Sequence, residues 1–149
     1  MNSKYMDMAI DEAKLAFDED EVPVGAVIVK NGEILAKTHN LKEHMGSAIY
    51  HAEILAIAMA TEKIKNWRLD DCDIYITLEP CPMCASAIKQ SRVRNVYCGL
   101  SNSDSNNLCI IEKIFESDSI NNSVNFFSDL AVDEVRNLMQ KFFSEKRKK

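Results

Sequence analysis

The chain has no apolar run approaching the ~18 residues that a membrane-crossing helix needs. Its first residues, Met1 to Lys4, lack the basic stretch and following apolar stretch of a leader peptide. It has no even set of cysteines. There are five, two of them committed to a pattern taken up below, which argues against a disulfide framework and for a reducing compartment. Both points set the expectation of a cytoplasmic protein. There is no excess of positive charge either: the net charge is −5 and the pI near 5.2. That argues against indiscriminate nucleic-acid binding, which wants a basic protein. No internal repeat and no linker divides the 149 residues, so 1–149 reads as a single domain able to bury a real core. What is present is ordinary for a globular chain, 46% hydrophobic and 28% charged. The charge is unevenly placed, with an acidic run at Asp18-Glu19-Asp20-Glu21 and a basic end at Lys146-Arg147-Lys148-Lys149.

Hydrophobic spacing predicts the elements. Residues 4–17 carry Met6, Ala9, Ile10, Ala13 and Phe17 at helical intervals, and the acidic run ends that helix. Val22 to Val29 reads as a near-continuous apolar strand, of the kind buried on both faces. Asn31-Gly32 signals a hairpin, with Glu33 to Thr38 as the returning strand. Residues 39–50 form a loop. The following helix, His51 to about Ile64, is so apolar that a place sandwiched within the core is expected. Asp73 to Leu78 is a third strand broken by Glu79-Pro80, and Pro82 to Gln90 a helix with proline in its first turn. Val93 to Cys98 is a fourth strand, Leu108 to Phe115 a short helical segment and Asn121 to Ser123 a turn. Val124 to Phe127 is a fifth strand, and Ala131 to Phe143 a closing helix. This order predicts a layered α/β fold with helices on both faces of the sheet.

Two short stretches carry the chemistry: His51-Ala52-Glu53 and, 29 residues after His51, Pro80-Cys81-Pro82-Met83-Cys84. Cysteines separated by two residues lie on one face of a helical turn. Two thiolates and an imidazole form a ligand set suited to tetrahedral zinc, and three protein ligands leave a fourth position open for water or hydroxide. Both stretches fall where a strand or loop hands over to a helix, whose unpaired N–H groups favour thiolate over thiol. Metal binding lowers the pKa of water towards ~7, and Glu53 is placed to carry its protons. One geometric condition follows. Residues i and i+2 stand about 200° apart on a helix, so His51 and Glu53 serve one site only at a helix end. Alone, the Cys-x-x-Cys pair also suits a structural zinc site or a redox pair, and His-Ala-Glu alone carries little. Together, as His-x-Glu followed by Pro-Cys-x-x-Cys, they resemble the signature of the zinc-dependent base deaminases, and that resemblance implies hydrolytic deamination of a base. Cys72, Cys98 and Cys109 read as small buried hydrophobes. His39 and His44 lie in a polar loop, and Trp67 reads as packing at a helix end.

These residues resemble the bacterial tRNA-specific adenosine deaminases, a branch of the cytidine/deoxycytidylate deaminase-like superfamily that converts the wobble adenosine of an anticodon to inosine. The likeness is carried by Glu21-Val22-Pro23-Val24-Gly25-Ala26-Val27, His51-Ala52-Glu53-Ile54 and Thr77-Leu78-Glu79-Pro80-Cys81-Pro82-Met83-Cys84-Ala85. Ser91-Arg92, Phe142-Phe143 and the basic tail also fit. The resemblance implies a three-layer α/β/α fold on a five-stranded mixed sheet, a homodimer with its site near the interface, and tRNA, through its anticodon arm, as partner. It implies one zinc ion per chain held by His51, Cys81 and Cys84, with Glu53 as proton shuttle. It places Asn40 against the flipped base and Val22, Pro23 and Leu78 around the base pocket. The chain departs from the pattern at Ser47-Ala48-Ile49-Tyr50, where many members have Asp-Pro-Thr-Ala. It departs again at Asn102 and Asp104, where an aspartate and a lysine are common. The alternatives are a deaminase of a free base, nucleoside or nucleotide such as guanine or cytidine, and a non-catalytic RNA-binding subunit. The latter would lack Glu53.

Overall fold

The apolar run that opens the sheet is covered on both sides. In a computed structural model that describes residues 2–101, 105–117 and 123–147, strand β1 (Gly25–Lys30) is buried along nearly its whole length. It pairs antiparallel with β2 (Glu33–His39) and with β3 (Cys72–Leu78). β3 pairs in parallel with β4 (Asn95–Leu100), and β4 with β5 (Asn125–Phe127). The sheet is five-stranded and mixed, in the order β2-β1-β3-β4-β5.

Strand alternation divides the core in two. Val27, Val29, Tyr75 and Tyr97 face α1 (Ser3–Asp18) and α6 (Val132–Arg147), packing on Met6, Ala9, Ile10 and Val135. Ala26, Ile28, Ile74, Ile76, Val96 and Cys98 face the other way. There they meet α3 (Ala52–Ile64), α4 (Pro82–Gln90) and α5 (Ser105–Glu116) through Ala52, Ala56, Ala60, Ala85, Ile88, Ile111 and Phe115. This is the expected three-layer α/β/α arrangement.

The elements fall close to their expected places, and the departures have physical causes. β1 begins at Gly25 rather than Val22, because Val24 N–H turns back to the Val22 carbonyl (2.9 Å) and Pro23 has no N–H to offer a ladder. A four-residue helix, α2 (Lys42–Met45), forms inside the stretch expected as loop and is closed by Gly46 at φ 62°. β4 is shifted two residues along from the expected segment. The Asn31-Gly32 turn has φ 49° and 81°, as a two-residue hairpin requires. Of the expected turn at 121–123, residues 121 and 122 lie outside the described residues.

Three expectations about burial are overturned. Helix α3 is not sandwiched: Ala52, Glu53, Ala56 and Ala60 are buried, whereas Ala58 and Met59 on the other side are exposed. Cys109 is exposed, unlike Cys72 and Cys98, because its side of α5 faces away from the sheet. Trp67 is 59% exposed rather than packed at a helix end. The guanidinium groups of Arg68 and Arg92 lie over its ring, 5.4 and 5.3 Å from the centroid. His39 closes β2, with its ring nitrogens 3.1 Å from Glu12 and 2.9 Å from Glu19. Burial works against its charge, but the two carboxylates outweigh it and raise its pKa. This clamp ties α1 to the strand end from which the site begins.

Candidate active site

Two helix starts meet at the carboxyl end of β3, where open α/β sheets place their sites. After Leu78 the Glu79 N–H still bonds the Leu100 carbonyl (2.9 Å), and Pro80 then ends the ladder. Cys81 is the N-cap of α4, with extended backbone (φ −74°, ψ 168°) and its carbonyl accepting from Ala85 N–H (2.9 Å). Pro82 fills the position where a missing N–H costs nothing. Cys84 lies one turn in and is fully buried. Facing them, His51 is the N-cap of α3, also extended (φ −73°, ψ 155°). This meets the helix-end condition for His51 and Glu53: one residue precedes the helix and the other sits in its first turn.

His51 Nδ1 stands 3.7 Å from Cys81 Sγ and 3.5 Å from Cys84 Sγ, and all three ligand atoms lie within 4.8 Å of one another. Typical zinc–sulfur and zinc–nitrogen bonds at a tetrahedral angle place N and S ~3.6 Å apart. The donors therefore already stand at the spacing of a zinc site, and their chemistry suits that ion.

The electrostatics agree. The Cys84 thiol, hydrogen-bonded to Cys81, pulls the Cys81 thiol well down against the cost of burial. The amides of Cys84 and Met83 and the His51 ring add to the effect. The same bond, followed by burial, pushes Cys84 up. A soft divalent cation displaces thiol protons on binding, so the depressed Cys81 thiol favours a metal at this site. Glu53 is 3% exposed, and its Oε1 has no hydrogen-bond partner among the described residues. Burial pushes its pKa up against its own backbone N–H, and the Cys81 charge adds to the rise. A buried oxygen without a partner is costly unless it meets a ligand or exchanges a proton.

His51, Cys81 and Glu53 border a cavity of about 290 Å³ that also meets Val22, Val24, Asn40, Lys42, Ala52, Leu78, Glu79 and Asn107. Of the pocket residues expected from the sequence, Asn40, Val22 and Leu78 line it. Pro23 is buried and stands outside the lining, which Val24 joins instead. Asn40 is 7% exposed; its amide oxygen accepts from Lys42 N–H (3.1 Å), and its Nδ2 donates to the Val22 carbonyl (3.4 Å). Lys42, Glu79 and Asn107 were not foreseen. Glu79 adjoins the cysteine motif and was within reach of inference. Asn107 was not, because only the fold brings its amide 2.6 Å from Glu79 Oε2. His39 and His44 stay off the lining, His39 on its two glutamates and His44 on Glu21. Within Ser47–Tyr50, Ser47 N–H bonds Lys42 and the Tyr50 carbonyl accepts from Leu41, forming the turn that delivers His51. Asn102 and Asp104 lie outside the described residues, as do Lys148 and Lys149.

The MafB19-like deaminase family profile matches residues 1–147. The tRNA-specific adenosine deaminase of Bacillus subtilis is 41% identical over 145 residues, covering 97% of this chain and 90% of that one. The chain belongs to the tRNA-specific adenosine deaminase family. Among solved structures, one from a study of A-to-I editing by tRNA:A34 deaminases at the wobble position of transfer RNA superposes with a TM-score of 0.84. It is 34% identical and covers 92% of this chain and 99% of that one. A guanine deaminase from Bacillus subtilis is more distant, 28% identical with a TM-score of 0.68, over 97% of this chain and 95% of that one. Two deaminases of one organism thus stand at different distances, and the tRNA enzyme is the nearer. The chain is a hydrolytic deaminase with the fold of the wobble-adenosine enzymes.

Proposed function

We propose that this deaminase converts adenosine to inosine at the wobble position of a tRNA anticodon, using one zinc ion per chain held by His51, Cys81 and Cys84. The observation that carries the reading is the spacing of those three donors beside a buried Glu53 whose Oε1 has no hydrogen-bond partner among the described residues. The 41% identity to a tRNA-specific adenosine deaminase supports the choice of substrate. Zinc, when bound there, supplies the Lewis acidity that makes water a nucleophile near pH ~7. Glu53 takes a proton from the attacking water and gives it to a ring nitrogen of the base. It then takes the proton of the new C6 hydroxyl and delivers it to the departing amine, which leaves the carbonyl of inosine. Adenosine and water become inosine and ammonia, with the carboxylate restored. Its raised pKa suits both halves of that cycle. Val22, Val24, Ala52 and Leu78 supply apolar walls for the flat faces of a base, and Asn40 supplies the polar contact that orients it. The cavity holds about one base, so the base leaves its stack to enter, and the remaining RNA lies outside.

The single deaminase domain acts in this reading as a homodimer in the cytoplasm. Support for the dimer comes from exposed large apolar side chains that a partner would cover: Met59 on the outer side of α3, Met45 at the end of α2, Ile49 in the turn that follows and Met83 in the first turn of α4. Sedimentation should give a dimer, and Met59→Glu should shift it towards monomer; a monomer at micromolar concentration contradicts the interface. No described helix is long and apolar enough to cross a membrane.

The substrate is tested with zinc-loaded protein incubated in parallel with an anticodon stem-loop carrying a wobble adenosine, free adenosine, cytidine and guanine. Ammonia release is expected from the stem-loop. Release from guanine with the RNA untouched would transfer the reading to the free-base branch, which the 28% relative represents.

A further inference from the structure

The acidic run at 18–21 does more than end a helix. Asp18, Glu19 and Asp20 are exposed, but the Glu21 side chain is completely buried. Its carboxylate accepts from Glu43 N–H (3.0 Å), His44 N–H (2.8 Å) and His44 Nδ1 (2.8 Å). A carboxylate removed from water needs such partners. Burial acts against its charge, and these donors outweigh it and hold its pKa below the ordinary value.

The three donors belong to α2, which has four residues and buries none of them. A helix of one turn has no stability of its own. It therefore forms where Glu21 satisfies its amides. The first residue of α2 is Lys42, whose N–H sets the Asn40 amide oxygen (3.1 Å). At its other end Asn40 Nδ2 has only a long bond to the Val22 carbonyl (3.4 Å), while its backbone N–H bonds Val24 (3.1 Å). The segments 21–24 and 40–45 thus form one polar-stitched wall of the cavity, with Glu21 at its buried end.

We infer that Glu21 is a positioning residue for base recognition: by capping α2 it fixes the Lys42 amide, and through it the side chain of Asn40. The inference rests on the reading that this cavity takes the target base. It separates Glu21 from the reacting centre, since it touches neither a zinc-ligating residue nor Glu53.

The test is a double-mutant cycle on the zinc-loaded protein with Glu21→Gln, Asn40→Ala and their combination. Glutamine keeps the shape but turns a donor towards a site that needs an acceptor. Glu21→Gln should fold, hold one equivalent of zinc and raise KM for the RNA stem-loop about tenfold with kcat little changed. In the Asn40→Ala background the same change should add less than about twofold, because the two act through one contact. Equal losses in both backgrounds would make Glu21 a stabiliser of the fold alone and overturn the inference. A second readout needs no substrate: amide exchange at Lys42, Glu43 and His44 should quicken in Glu21→Gln, and unchanged protection at Lys42 would overturn it too. Should Glu21→Gln fail to fold, His44→Ala removes one exposed donor, and about threefold in KM is expected, again lost without Asn40. Failure of the substrate reading would appear as an inactive wild type on RNA, while the exchange result would still judge Glu21.

Discussion

Glu53→Ala should keep the fold and the zinc and lower turnover by about 10³- to 10⁴-fold, or about 4–5.5 kcal/mol of transition-state stabilisation. The size follows from the role. In the proposed cycle one buried carboxylate, 3% exposed and lining the cavity beside His51 and Cys81, handles the protons of the reaction. Stability should move little or rise, because the substitution removes a buried oxygen that has no partner among the described residues. Glu53→Gln provides the control for shape and should lose activity to the same extent. Metal analysis, thermal unfolding and single-turnover rates on one preparation check all three statements. Appreciable turnover by either variant would remove Glu53 from the mechanism.

The second large effect concerns the donor set. Replacing Cys84 by serine, or His51 by alanine, should abolish zinc retention and reduce turnover below detection. Stripping zinc with a strong chelator should do the same reversibly in the wild type and lower its unfolding temperature. His51 stands at the start of α3, and Cys81 and Cys84 at the start of α4, so one ion held by all three would link two elements on the same side of the sheet. A ligand present at a thousand times its Kd stabilises by about 4 kcal/mol. Zinc affinity should fall as the pH is lowered, because protons compete with the metal for the two thiolates and the imidazole. Titration with a chromophoric chelator at several pH values measures this directly. Full activity in metal-free protein, or zinc held tightly by Cys84→Ser, would contradict the assignment.

Much of this was legible in the chain. The near-continuous apolar run from Val22 to Val29 announced a strand covered on both faces, and the structure divides it, Val27 and Val29 to one side and Ala26 and Ile28 to the other. The helix starts at residues 51 and 81 could be anticipated, because proline and a change of period mark them. The donor residues could be identified because their chemistry is tied to local spacing. What escaped depends on contacts that spacing does not encode. Asn107 meets Glu79 only once α5 folds across the end of β3. Glu21 belongs to an acidic run indistinguishable by composition from its exposed neighbours, and only the position of α2 draws it inward. Helix α3 misled in the opposite sense. Its apolar content suggested complete burial, whereas one side is left at the surface, and apolar content alone does not separate core from surface.

The most direct test uses two RNA stem-loops that differ only in the place of one adenosine, at the wobble position or one nucleotide to its 3′ side. Each is incubated with the zinc-loaded protein, digested, and its nucleosides separated by mass. The account predicts inosine from the first and unchanged adenosine from the second, with Glu53→Ala producing none from either. Inosine from both, or from neither while a free base is consumed, would contradict it.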